Sequence, residues 1–328
     1  MKITMAHGSG GQATSRLIDE VFAKTFDDPV LSRMEDSAVV PGAGRLALTT
    51  DSFVVDPLFF PGGDIGRLCI CGTVNDLLMS GAQPKYLTCG FILEQGLETG
   101  DLQKIVCSMA DTAREAGVGI VAGDTKVVEG KGGLYINTAG VGFVRDGVDI
   151  SAANCREGDV ILLSGNLGDH HAAIFSVRMN IENSIASDCA PLGGMVAGLL
   201  EQDIRVRAMR DVTRGGLATV LNEFARASRC CIELNETDIP ISDEVLAFCG
   251  ILGLDPYTMG NEGKMVAVVA KEDAAQALAV MRSSKYGENA QIIGTVTREK
   301  DAPVLLHTSL GGTRVLYGLA GEGLPRIC

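Results

Sequence analysis

VGIVAGDTKVV, residues 118–128, decides how the first half of the chain is read. The run Ile120-Val121-Ala122 is apolar and β-branched, too short for a helix, and it leads straight into Gly123-Asp124-Thr125-Lys126. That pattern reads as a buried strand delivering a carboxylate and a lysine. RLALTTDSFVV, residues 45–55, repeats the design and reads as a strand ending near Asp51. Between the two strands the spacing predicts helices. Ile65 to Ser80 is one, closed by Gly81. Asp101 to Ala116 is the other: Leu102, Ile105, Val106, Met109, Ala113 and Ala116 recur at helical intervals, and Gly117 takes the first position past the end.

The strand-like NTAGVGFV (137–144) runs into the turn pair Asp146-Gly147, and CREGDVILLSG (155–165) opens a new unit. The second half again mixes strands (Asp159 to Leu163, Met265 to Ala270, Gln291 to Val296) with helices (Thr213 to Ala227, Glu272 to Ser283). A two-domain α/β (α+β) chain is expected, with domains at 1–149 and 150–318. LAGEGLPRIC, which has no periodicity, supplies a flexible tail over 319–328. A length of 328 residues agrees with two domains of ordinary size. There is no repeat of solenoid period and no low-complexity tract.

Charge narrows the function. Lys plus Arg number 28 against 41 Asp plus Glu, a formal charge of −13, which argues against a nucleic-acid or anionic-membrane partner. No stretch reaches the roughly 20 apolar residues of a membrane span, and MKITMAHGSGG lacks a signal-peptide core, so a cytoplasmic location is expected. Cys69, Cys71, Cys89, Cys107 and Cys249 sit in apolar or small-residue runs and read as buried free thiols. Cys69/Cys71 and Cys230/Cys231 have no zinc spacing.

Five carboxylates stand out: Asp36 in MEDSAVV, Asp51 in LTTDSF, Asp76 in GTVNDLL, Asp124 in VAGDTK and Asp211 in MRDVTRGGL. Singly, each reads as an ordinary turn or cap residue. As a set around one cleft they would repel one another unless a hard cation, Mg²⁺, sat among them. Neither the P-loop pattern nor the dinucleotide fingerprint occurs. Glycine-rich segments offer backbone N–H groups instead: HGSGG (7–11), SGNLGDHH (164–171) and the run from Asp211. In the last, Leu217, Val220, Leu221 and Phe224 mark an amphipathic helix. Thr213-Arg214-Gly215-Gly216 then lies at its N-terminus, which suits an anion and equally suits a plain glycine cap.

HGSGG, TTDSFVVDPLFFPGG (49–63), GTVNDL (72–77), GDTKVV, SGNLGDH, DVTRGGL, NEGK (261–264) and the final PRIC together resemble the hydrogenase-maturation family. That family falls within the PurM-like, aminoimidazole ribonucleotide (AIR) synthetase-related ATP-binding superfamily. The likeness runs from end to end. Its middle motifs are shared with selenophosphate synthetase and thiamine-monophosphate kinase, while the PRIC ending is particular to the hydrogenase-maturation family.

The resemblance implies a PurM-like N-terminal ATP-binding and dimerisation domain, a C-terminal PurM-like domain, and a homodimer. It implies ATP with Mg²⁺ as cofactors, and carries over Asp36, Asp51, Asp76, Asp124 and Asp211 as metal or nucleotide contacts, with Asn75, Gly123 and Thr213 beside them. The implied activity is dehydration of an S-carbamoyl group on Cys328 to a thiocyanate. A HypF-type carbamoyltransferase is the donor, and the HypC–HypD complex takes the cyanide for the iron of [NiFe] hydrogenase. An amide oxygen leaves poorly until it is phosphorylated, which is why ATP is needed. Glu262 matches the family as base and Lys126 as charge stabiliser, with His170 a third candidate; His171 stands where a small residue is expected. His7 and its glycines read as a lid. Two rivals remain: a small-molecule phosphotransferase of the selenophosphate-synthetase type, and a non-enzymatic thiol carrier.

Overall fold

The computed structural model describes residues 2–8, 12–34 and 37–319. A helical run opens the chain, α1 (Gln12–Leu17) and α2 (Lys24–Phe26), joined by a π-helical turn over Ile18–Ala23. The first sheet follows, from β1 (Leu46–Phe53), β4 (Ala82–Glu94), β5 (Gly119–Val128) and β6 (Leu134–Val144), in the order β1-β6-β4-β5. The small hairpin of β2 (Phe59–Phe60) and β3 (Gly63–Asp64) leads into α3 (Ile65–Met79). Helix α4 (Thr99–Ala116) is the crossover that lets β4 and β5 run parallel; β1–β6 and β4–β6 are antiparallel.

The second unit contains β7 (Val160–Leu163), α5 (Asp169–Met179), α6 (Gly193–Glu201), β8 (Val206–Asp211), α7 (Gly216–Ser228), β9 (Cys230–Asn235), α8 (Asp243–Leu252), β10 (Met265–Val269), α9 (Ala274–Ser283), β11 (Gln291–Arg298), β12 (Val304–His307) and β13 (Thr313–Val315). Its sheet has the order β13-β12-β9-β11-β7-β10-β8. The chain passes from one sheet to the other between residues 144 and 160. No helix among the described residues is long and apolar enough to cross a membrane.

Local chemistry explains the helices that place the site. Asp64 caps α3, its carboxylate accepting from the N–H groups of Gly66 at 2.7 Å and Arg67 at 3.0 Å. The body of α3 is buried almost all round, because it lies between the first sheet and the second unit. Helix α4 buries one face and ends on Gly117 in the left-handed conformation, φ +69°. Helix α7 starts at Gly216 rather than at Thr213. Gly215 and Gly216 both have positive φ, and a Cβ on Gly216 would come within 2.6 Å of the Tyr257 carbonyl. Two glycines are therefore needed before the helix can begin.

Two sequence expectations are corrected here. Asp51 and Asp124 project from the middle of strands, not from loops beyond strand ends. The reason is that pairing continues past both acids: β1 pairs with β6 antiparallel from Leu46↔Phe143 to Phe53↔Ile136, and β5 pairs with β4 in parallel on to Val128↔Glu94. Cys107 is exposed on α4, whereas Cys69, Cys71, Cys89 and Cys249 are buried thiols.

One hydrophobic cluster crosses both units, taking in Leu68 and Ile70 of α3 with Met195 and Val196 of α6 and Met265 of β10. Asn75 stitches the same seam. Its side-chain Nδ2 donates to the Ala190 carbonyl at 3.0 Å, and its Oδ1 accepts from the Leu192 N–H at 3.0 Å. Asn75→Leu would strand both backbone groups in the core, so chemical unfolding should show a loss of about 3 kcal/mol. A loss below about 1 kcal/mol would mean that water replaces the amide.

Candidate functional site

Three of the acidic side chains converge across the seam. Asp51 comes from β1, Asp76 from α3 and Asp211 from the last position of β8. Thr49 Oγ1 donates to Asp76 Oδ2 at 2.8 Å, and Ser52 N–H to Asp51 Oδ1 at 2.8 Å. Burial, reinforced by Asp76 and Asp51, lifts Asp211 to about 7. Asp51 is raised by burial and then by Asp76; for Asp76 the cause of its rise is burial. Glu262, 6% exposed, joins them. Its carboxyl is pushed far above the usual range by burial, and further by Asp211, Asp188 and Asp51.

Of these acids Asp76 and Asp211 line a cavity of about 850 Å³, together with Thr49, Thr213, Arg214 and Thr219 among others. The start of α7 forms one wall of it. A helix N-terminus and the Arg214 guanidinium thus confront a group of carboxylates across open space. Such an arrangement holds a polyanion when a cation lies between, since the helix end and Arg214 attract the anion while the acids hold the metal. Among the described residues no three His, Cys, Asp or Glu side chains are already drawn together as a metal centre.

Asp124 stands apart. β1 and β5 are opposite edges of the first sheet, with β6 and β4 between, a separation of roughly 14 Å. Asp124 belongs to the row Ser52–Asn137–Gly90–Asp124, one residue out of step with Asp51–Thr138–Cys89–Gly123. One step reverses the face, so Asp124 points to the open side of the sheet while Asp51 points toward α3. Lys126, two residues on, shares that open side, and its Nζ donates to both carboxylate oxygens of Asp124 at 2.7 Å. This contact holds Asp124 below the usual carboxylate range. Gly123 to Lys126 also border a second cavity of about 410 Å³, closed on its other side by Ile18, Phe22, Phe26 and Met34.

The histidines are placed elsewhere. His170 is fully buried, with Nδ1 2.8 Å from Ser187 Oγ and its ring edge-on to Phe60; burial lowers it to about 4. His171 packs on Phe175 and is likewise lowered to about 4, by burial first. Neither lines the acid cavity. The ring of His7 takes the Thr4 N–H on Nδ1 at 3.1 Å. Asp36, residues 9–11 of the lid and Cys328 lie outside the described residues. Asn75 sits 2% exposed behind Asp76, engaged with the second unit as described above.

Asp188 escaped the sequence reading. Its Oδ1 accepts the Glu262 N–H at 3.0 Å, and Lys264 Nζ lies 3.4 Å from Oδ2. SDCA carries no motif, so only the tertiary neighbourhood reveals it.

Two α/β units sharing a seam, with acids facing a helix N-terminus, define a protein of the AIR synthase related class. Its N-terminal domain model matches residues 34–144 and its C-terminal domain model residues 156–306. The chain is 50% identical to the carbamoyl dehydratase HypE of Cupriavidus necator, across all of this chain and 95% of that one. It superposes on a crystal structure of the hydrogenase maturation protein HypE in complex with ATP with a TM-score of 0.95, at 45% identity over 99% of each chain. A crystal structure of a HypE–HypF complex matches with a TM-score of 0.81, at 45% identity over 92% of this chain and 99% of that one. The chain belongs to the HypE family of hydrogenase maturation proteins.

Proposed function

We propose that the chain is an ATP-dependent carbamoyl dehydratase acting on an S-carbamoyl group carried by its own Cys328, and that the resulting thiocyanate supplies the cyanide ligand of [NiFe] hydrogenase. The observation that carries this reading is where the chain leaves the described fold. Leu319 N–H donates to Thr219 Oγ1 at 3.2 Å, and Thr219 lines the acid cavity. Nine further residues, 320 to 328, reach at most about 30 Å, which spans the cavity.

The donor set fits a magnesium ion. Asp51, Asp76 and Asp211 offer hard oxygens, and Asp211, lifted to about 7 by burial first and then by Asp76 and Asp51, is a carboxyl that a cation among them would ionise. These three would hold Mg²⁺; of the two further contacts carried by family likeness, Asp36 lies outside the described residues and Asp124 is on the opposite edge and face of the sheet from Asp51. When bound, the nucleotide supplies the phosphoryl group that makes the amide oxygen a leaving group. The apolar pocket beside β5 suits a purine base. Thr213, Arg214 and the start of α7 suit the phosphates, with Arg214 supplying positive charge there; Lys126, carried by family likeness as charge stabiliser, is paired with Asp124 on the open face of the first sheet. Glu262 takes the proton from the carbamoyl nitrogen; His170 is left to hold Ser187.

The relative solved with HypF supports a HypF-type carbamoyltransferase as donor. A HypC–HypD complex is the cyanide acceptor in this reading, and the cytoplasm its setting. A homodimer is proposed through the open face of the first sheet. Leu46, Leu48, Ile92 and Tyr135 are exposed there beside Asp124 and Lys126. Covering that face would bring Asp124 and Lys126 into the interface.

Intact-mass measurement tests the activity. Protein carrying a carbamoyl group should lose one water when Mg-ATP is added and none without nucleotide. A mass that stays constant, or that falls without ATP, would sink the reading.

A further inference from the structure

We propose that Thr219 and Asn222, one turn apart on α7, are positioning residues that anchor the tail and aim it at the acid cavity; this rests on the dehydratase reading above. Asn222 is 3% exposed, set among Leu221, Phe224 and Ala225 of the second core. Its Nδ2 donates to its own helix at the Ala218 carbonyl, 2.8 Å, and to the Leu316 carbonyl, 2.9 Å. Its Oδ1 is buried with no hydrogen-bond partner. A buried amide with an orphan oxygen is unfavourable beside a leucine of similar size, so its donors must be what recommends it.

What those donors secure is the last core residue of the chain. Leu316 is 2% exposed, and the next residue, Tyr317, is 71% exposed. Gly318 then passes against the helix: a Cβ there would lie 3.6 Å from Thr219 Cα. Leu319 makes the second contact, through its N–H, with Thr219 Oγ1 at 3.2 Å.

The two contacts have a direction. Leu316 is held at Asn222 and Leu319 at Thr219, so the chain climbs α7 toward its N-terminus, a rise of about 4.5 Å over three residues. At that end lie Thr213 and Arg214, which share the cavity wall with Thr219 and Asp211. Without the anchor, β13 and the Leu316 N–H bond to Val304 O would still hold the chain as far as Leu316. The last held residue would then move back from Leu319 to Leu316, three residues farther from Cys328, and the chain would lose its heading. A longer, unaimed tether lowers the effective concentration of its end at the site.

The test uses full-length protein carrying the carbamoyl group, under single-turnover conditions with Mg-ATP. Thr219→Val keeps the side-chain shape and removes the acceptor. It should slow loss of water by about three- to tenfold, leave the affinity for a fluorescent ATP analogue within about twofold, and speed hydrogen exchange at the Leu319 amide. Thr219→Ser should restore both rate and protection. Asn222→Leu should slow the reaction in the same way; if it fails to fold, Thr219→Val carries the test alone. The proposal is overturned if Thr219→Val changes neither rate nor exchange. It is overturned equally if nucleotide affinity falls in step with the rate and serine rescues neither. If the unaltered protein never loses water, the dehydratase reading fails instead, and the Leu319 exchange alone decides for or against the anchor.

Discussion

Glu262→Gln is expected to slow ATP-dependent loss of water from the carbamoylated protein by about 10² to 10⁴-fold, the usual worth of a positioned general base, and at the same time to stabilise the fold. The two effects share one cause. Glu262 is buried, and burial together with Asp211, Asp188 and Asp51 holds its carboxyl protonated well above the ordinary range. A divalent cation among Asp51, Asp76 and Asp211 would offset that repulsion and release the carboxylate as a base once the complex is assembled.

The sign of the stability effect follows from linkage. The folded-state pKa of Glu262 lies above its unfolded value of about 4.3. Its favourable contribution is therefore fully present below that unfolded value and is lost as pH rises through the folded pKa. Glutamine, neutral throughout, escapes the loss. Thermal melts without metal should show a gain of about 2–4 °C at pH 8.5 that vanishes near pH 5. A lower melting point at high pH would contradict a buried, crowded carboxyl. Unchanged dehydration would remove Glu262 from the chemistry.

Cys328→Ala is expected to abolish the reaction outright: no carbamoyl mass is acquired, and no water is lost when Mg-ATP is added. Nucleotide binding and the melting temperature should stay as they were, because the change removes one thiol nine residues beyond the Leu319 contact with Thr219. Specificity can be checked within the same chain. Among the described cysteines Cys107 is the exposed one, so it is the natural competitor for a carbamoyl donor. Cys107→Ala should acquire and dehydrate the group normally. A Cys328→Ala protein that still gains and dehydrates a carbamoyl group would fail the tail hypothesis.

Several elements were legible because their causes are local. The apolar spacing of α4 and its closing Gly117 are written in adjacent residues, as is the glycine pair that opens α7. The grouping of acids was only half legible. GDTKVV and TTDSFVV look alike as strings, which placed Asp51 and Asp124 around one cleft. Pairing shows instead that they occupy opposite edges and opposite faces of one sheet. A period of two makes the face depend on a single step of register, and register is set by partner strands remote in the chain.

By itself the sequence determined helices α3, α4, α7 and α9 and strands β1, β5, β6, β7, β10 and β11, the kinds of chemical group available, the lack of a P-loop, and the thiol at residue 328. Those depend on a few neighbouring residues and on side-chain chemistry. The tertiary structure alone decided which groups meet: Asp76 with Asp211 across the seam, Asp188 behind Glu262, and Leu319 pinned to Thr219 at the cavity wall. These contacts join residues 135, 74 and 100 positions apart in the chain. Only packing of the two sheets around α3 and α7 brings such residues within reach, and no local pattern records it.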